Sequence, residues 1–282
     1  MRGWLCFAAL LTLCACPPDL EEAPAYVLIE GFDLITAPGE GAPTTDIREV
    51  WAFADGEFIG VFPLPARVPV FRSGPVTLRF EAGIRQDGRS VTPDIYPFYT
   101  PVEQTLELLP DATVALGMLD IGYRRETVFG FVEDFEATTG RVFTDVLTAG
   151  NTIRSQTGTV RSGGAAGAIE LSDTSRLFEA ATGITFRKLN EVPINVWLEV
   201  DFLADAPTLF GVIGPQNVGT TRVFDPGFLP RADWTKIYFN LGPVIGSADL
   251  DELRVALSSL LPDDLTGGTV YLDNVKLLYF VP

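Results

Sequence analysis

From Tyr26 onward, apolar and polar residues change places every one or two positions, in short runs broken by Gly, Pro and Asp. A period of two is that of a strand with one buried face, so the chain reads as all-β. The one helical candidate is Ala248–Leu261, and even there Leu253, Val255 and Leu257 alternate. The clearest local signal is a hairpin. Val50–Phe53 and Phe58–Phe62 flank Ala54-Asp55-Gly56-Glu57, and Asp-Gly supplies the positive φ angles of a tight primed turn. Further strands are predicted at Val76–Phe80, Leu106–Leu109 and, after a Pro110-Asp111 turn, Val114–Leu116. The expected architecture is two consecutive antiparallel β-sandwiches, residues 25–125 and 129–282, as separable folding units joined near Glu126-Thr127.

Alternation also sorts two strands of the second unit by face. In residues 194–202, Ile194, Val196, Leu198, Val200 and Phe202 form an apolar face and leave Trp197, Glu199 and Asp201 on the other. In residues 234–241, Thr235, Ile237, Phe239 and Leu241 point to the core, with Trp234, Lys236, Tyr238 and Asn240 opposite. If the two strands share a sheet, its non-core face carries two Trp, a Tyr, two carboxylates, a Lys and an amide. Such a mixture suits sugar recognition, because aromatic rings stack on pyranose C–H surfaces while the polar groups bond hydroxyls. The competing reading makes the Trp rings a second small core beneath loops. Glu199 and Asp201 stand i,i+2, about 7 Å apart along a strand, a spacing open to an inverting glycosidase. Between the predicted strands of the first unit, Gly83–Gly88 and Tyr96-Pro97-Phe98-Tyr99-Thr100-Pro101 form a long connection. Its aromatics either mark a contact surface or pack over the open end of the sandwich.

Composition closes several chemistries. The 282 residues contain no His, and the three Cys are Cys6, Cys14 and Cys16. Beyond position 16 there is therefore no Ser-His-Asp or Cys-His catalysis, no zinc site built on His or Cys, and no disulfide. Residues 1–16 carry Arg2, a short apolar run and Ala15-Cys16, the layout of a signal peptide. That run is shorter than the roughly 20 residues a membrane span needs. Without residues 1–15 the chain has 19 basic and 37 acidic residues, a formal charge of −18, which disfavours nucleic acid as a partner. Of the 20 basic residues 17 are Arg, and the three Lys are Lys188, Lys236 and Lys276, a ratio that a GC-rich genome accounts for without any binding function.

Leu13-Cys14-Ala15-Cys16 resembles a bacterial lipobox, which implies that Cys16 becomes the first residue and carries the lipid. Residues 16–24 then form a Pro-rich acidic tether, similar to those that direct lipoproteins to the outer face, or a plain solvated spacer. The stretch Ala54-Asp-Gly-Glu-Phe-Ile-Gly60, with Pro63 and Gly74 after it, resembles PEGA-like and carboxypeptidase-regulatory-like Ig-type modules of bacterial surface proteins, which are spacers. In the second unit, Phe131-Val-Glu-Asp134-Phe135-Glu136, Val160–Gly167, Asp233–Phe239 and Val270–Leu278 resemble the strands of carbohydrate-binding-module jelly rolls. That resemblance implies adjoining first and last strands and a structural calcium held by Asp134, Glu136 and Asp273. The sequence thus leads to a non-catalytic, lipid-anchored outer-membrane protein with an Ig-like spacer and a glycan-binding jelly roll. The glycan site is expected at Trp197, Glu199, Asp201, Trp234, Lys236, Tyr238 and Asn240. The alternatives are an assembly component of the envelope that binds another protein and, third, a glycoside hydrolase.

Overall fold

A computed structural model describes residues 23–281 apart from 90, 92, 138, 192–194, 217 and 218, so Cys16 and Ile194 lie outside the described residues. The first unit contains β1 (Ala25–Leu34), β2 (Glu49–Ala54), β3 (Glu57–Pro63), β4 (Ala66–Val70), β5 (Gly74–Arg85), β6 (Pro93–Ile95), β7 (Val102–Leu108) and β8 (Thr113–Ile121). A three-stranded sheet β4-β1-β8 faces a sheet built on β3-β2-β5, with β6 and β7 both paired to β5. Asp55 and Gly56 adopt φ of 48° and 84°, which makes the hairpin turn the primed type that Asp-Gly predicts. β1 and β8 pair in parallel, a departure from the antiparallel pattern of the other ladders.

The second unit begins with β9 (Thr127–Glu133), β10 (Asp145–Val146), β11 (Ile153–Gln156), β12 (Ala166–Ser172), β13 (Leu177–Ala181) and β14 (Phe186–Arg187). It continues with β15 (Val196–Ala204), β16 (Thr208–Pro215), β17 (Thr220–Phe228), β18 (Arg231–Asn240), α1 (Gly242–Ala248), β19 (Glu252–Leu260) and β20 (Gly267–Phe280). One sheet runs β11-β12-β20-β15-β18 with β9 beside β20; the other runs β10-β13-β19-β16-β17 with β14 beside β19. The core between them holds Val196, Leu198, Val200, Phe202, Ile237, Phe239 and Leu241 of the sets assigned by alternation, whereas Thr235, also assigned inward, is half-buried and lines a cleft. The helix sits ahead of its expected place, since Asp249 takes a left-handed φ of 46° and ends α1, and Leu253, Val255 and Leu257 then follow the strand period within β19.

First and last strands of the second unit do adjoin, with Val275 opposite Glu133. A bulge lets Asn274 and Val275 stand against Val200 alone, and Asn274 has φ of 44°. The extra residue shifts the phase of β20, so Val270 and Leu272 before it and Val275 and Leu277 after it all reach one core.

The strands of the two units form separate sheets, joined among the described residues only by an isolated bridge between Gln86 and Tyr238. Their apolar interiors are not separate. The cluster that fills the first sandwich also takes in Trp197, Tyr238 and Leu278 of the second.

Candidate functional site

β15 and β18 are neighbours, with Trp197 opposite Asn240, Glu199 opposite Tyr238 and Asp201 opposite Lys236. The sequence therefore placed these side chains on one face correctly. That face is closed rather than open, because the first sandwich sits on it. Trp197, Glu199, Asp201, Lys236 and Tyr238 are buried, while Trp234 and Asn240 are half-buried. A sugar cannot stack on Trp197, whose indole meets the Tyr96 ring edge-on at 5.5 Å. The buried Glu199 and Asp201 are likewise out of reach of a glycoside. The expected platform is thus corrected to an inter-sandwich seam.

The first unit supplies the groups that cover it. Tyr96, Phe98 and Tyr99, from the aromatic connection, form a contact surface against the second sandwich. Glu199 accepts the Tyr96 hydroxyl at 2.8 Å and the Tyr123 hydroxyl at 3.0 Å. Lys236 Nζ lies 2.9 Å from Glu199 Oε2 and 3.5 Å from Asp201 Oδ2. Lys276 Nζ donates to Tyr123 Oη at 3.1 Å and to the Ala42 carbonyl at 3.0 Å. The segment between β1 and β2 crosses the seam as a strap. There Thr44 donates to Asp201 Oδ2 at 2.5 Å, the Asp46 N–H donates to Tyr238 Oη at 3.1 Å, and the Ala42 N–H donates to Asn274 Oδ1 at 2.8 Å.

Two ammoniums face two carboxylates in this buried cluster, so the charges compensate. Burial alone would raise the Glu199 carboxyl, but Lys236 and Lys276 outweigh it and hold it below its usual range. Burial would also lower Lys236, yet Asp201 and Glu199 keep its pKa above the ordinary value. Lys276 has weaker compensation, and burial pulls it down to about 8. The four seam tyrosines are pushed well above their usual range, first by burial, with the Glu199 charge adding to it, so their hydroxyls stay protonated. Lys276, Tyr96, Tyr99, Tyr123, Thr44 and Asp46 were absent from the expected site. Alternation past Asp273-Asn274 would have found Lys276 only if the bulge had been foreseen.

The predicted calcium carboxylates do not converge. Asp134 Oδ1 accepts the Glu136 N–H, and Glu136 accepts the N–H groups of Gly164 and Ala165. Asp273 instead accepts the N–H groups of Arg161, Ser162 and Asn274, beside Asp201, and burial pushes it up to about 6. Each of the three carboxylates accepts backbone N–H groups of its own neighbourhood, and no group of three potential metal ligands occurs among the described residues.

At the rim of the seam a cleft of about 680 Å³ opens between the sandwiches. Asp46, Arg48, Arg85, Asp87 and Arg89 line it from the first unit, and Phe228, Leu229, Arg231 and Asp233 from the second. Asp87 Oδ1 is buried there without a hydrogen-bond partner, and burial raises its carboxyl despite Arg89. Arg48 pairs with Asp46 at 2.6 Å and Arg85 with Glu49 at 2.8 Å, which fixes two guanidiniums along one wall.

No family model and no curated protein matches the chain. Solved structures that are similar to it are carbohydrate-binding modules. One is the family 30 module of a cellulosomal cellulase of Clostridium thermocellum, at 14% identity and TM-score 0.39, covering 54% of this chain and 96% of that one. A β-sandwich carbohydrate-binding module described for promiscuous specificity covers 91% of this chain and 98% of its own, at 13% identity and TM-score 0.39. A xylan-binding domain from Paenibacillus barcinonensis covers 55% of this chain and 97% of its own, at 14% identity and TM-score 0.36.

Proposed function

We propose that this chain is a non-catalytic envelope protein, anchored by lipid at Cys16, that binds a glycan in the cleft between its two sandwiches. The observation that carries the reading is the cleft itself. It lies at a domain boundary, has the volume of a ligand site, and combines fixed Arg and Asp side chains with the apolar Phe228 and Leu229. Guanidinium forks and carboxylates are complementary to the paired donors and acceptors of vicinal hydroxyls, and the apolar wall suits a sugar's C–H face. The acidic tether after Cys16 supports placement at the outer membrane, and the absence of His narrows the chemistry available for catalysis.

The test is retention on a glycan array and on insoluble polysaccharides, with wild type, Arg231→Ala and Asp87→Ala compared at equal melting temperature. Retention by wild type that falls at least tenfold in both variants is the expected result. Retention unchanged in both would remove the cleft from the reading, and no retention of wild type on any glycan would remove the glycan. Cys16→Ser should move the protein from the membrane fraction to the soluble fraction.

A second reading, an assembly component that presents a rigid surface to another protein, is favoured by one observation. The buried cluster and the strap tie the two sandwiches into one stiff unit, which suits a spacer or scaffold. Failure of the glycan test combined with co-purification of a discrete envelope partner would select it.

A further inference from the structure

Lysine is scarce in this chain, with three against 17 Arg, and two of the three, Lys236 and Lys276, have side chains with 0% exposure in the seam. Where Arg supplies positive charge almost everywhere else, two buried amines point to a need for the amine rather than the charge, because an amine can become a nucleophile and a guanidinium cannot. Lys236 stands directly opposite Asp201 in the β15–β18 ladder. Its Nζ is 3.5 Å from Asp201 Oδ2 and 2.9 Å from Glu199 Oε2, with all three side chains fully buried. The two carboxylates differ in their surroundings. Glu199 is bonded by two tyrosine hydroxyls and flanked by Lys276. Asp201 accepts the Thr44 hydroxyl on Oδ2, while its Oδ1 has no hydrogen bond and lies 3.6 Å from Arg161 Nε.

We propose that Lys236 and Asp201 condense into an intramolecular isopeptide bond, with Glu199 relaying the protons. The Nζ–Cγ bond forms and the Cγ–Oδ1 bond breaks. Of the three ammonium protons one stays on the amide nitrogen, and two pass through Glu199 to the departing oxygen, which leaves as water. The balance needs no oxidant or co-reactant. Thr44 is placed to stabilise charge on Oδ2 as Cγ becomes tetrahedral, and the partly exposed Arg161 lies beside the oxygen that leaves. Two features of the seam favour the step. The reacting groups are already held in contact, so no encounter entropy opposes them. Condensation also removes one buried cation and one buried anion, leaving Glu199 with Lys276 as the remaining pair, 3.9 Å apart. The link is independent of any ligand in the cleft and does not rest on the glycan reading.

Peptide mapping of the purified full chain, unfolded and digested with trypsin, decides the matter. The expected product joins residues 189–222 to residues 232–254, uncut after Lys236 and lighter than the two peptides by one water. Separate peptides with normal cleavage after Lys236 in most molecules would overturn the proposal. So would a water lost only at Asp55-Gly56 or Asp87-Gly88, where a succinimide gives the same intact mass without joining peptides. In Lys236→Arg the joined product should be absent. In Glu199→Gln, checked for folding by circular dichroism, it should fall at least tenfold, and undiminished product would remove Glu199 from the step.

Discussion

Trp197 and Trp234 stand on strands that pair directly, and alternation assigns both to one face, yet their environments differ. Trp197 is 3% exposed against Tyr96, whereas Trp234 is only half-buried near the start of β18. Trp197→Ala should therefore cost about 3–5 kcal/mol, the loss of a large buried ring and the cavity left behind. Trp234→Ala should cost about 1 kcal/mol, near the centre of the range for point substitutions. Denaturant unfolding of the two variants checks the contrast, and equal losses would mean that Trp234 is packed as deeply as Trp197. At this scale the sequence was informative about facing and silent about cover. Period-two alternation reports which residues share a side of a sheet; it carries no information on what lies against that side. The mixture of Trp, Tyr, Lys, Glu and Asp looked like a sugar platform because the same groups that bond hydroxyls also bond one another. Glu199 accepting two tyrosine hydroxyls is the intramolecular version of that chemistry.

The strands that were legible carry their own signal, as in the Asp-Gly hairpin and the alternation of β15 and β18, whereas the pairing of β9 with β20 was an expectation from the resemblance alone. The strap between β1 and β2 was not, since it has no period and its role is set by long-range contacts. It presents Ala42, Thr44 and Asp46 to groups on the second sandwich. Gly41 shows how closely it lies. Its φ is +75°, and a Cβ there would come within 2.7 Å of Lys276 Cε and 3.1 Å of Val132. Gly39 has a similar φ of +92° but open space around it. Gly39→Ala should therefore cost only the backbone strain, about 1 kcal/mol, whereas Gly41→Ala adds a clash and should cost about 2–3 kcal/mol. The larger effect should appear together with faster hydrogen exchange at the Ala42 and Asp46 amides. Equal costs for the two variants would show that the strap moves aside freely.

At the scale of the whole chain, the sequence divides near Glu126-Thr127, and the sheets divide there too, since no strand ladder crosses the point. The sheet boundary is not an energetic one. Residues 129–282 alone would expose Trp197, Tyr238 and Leu278, each contributing about 1.5–3 kcal/mol when buried. Exposure would also hydrate the Glu199 and Lys276 pair. Hydration offsets part of the loss, because buried ion pairs gain little net stability over solvated ones. The apolar loss has no such offset, so the isolated second sandwich should be less stable than the same residues within the full chain by several kcal/mol. The full chain should unfold in one cooperative transition, with Tyr and Trp fluorescence and circular dichroism changing together. Residues 129–282 expressed alone should melt at lower temperature and bind a hydrophobic dye. An isolated second sandwich as stable as the intact protein, with two separate transitions in the full chain, would show that the seam joins units that fold independently. The cleft at its rim would then have walls free to move apart, and a ligand bound there should raise the melting temperature of both units together.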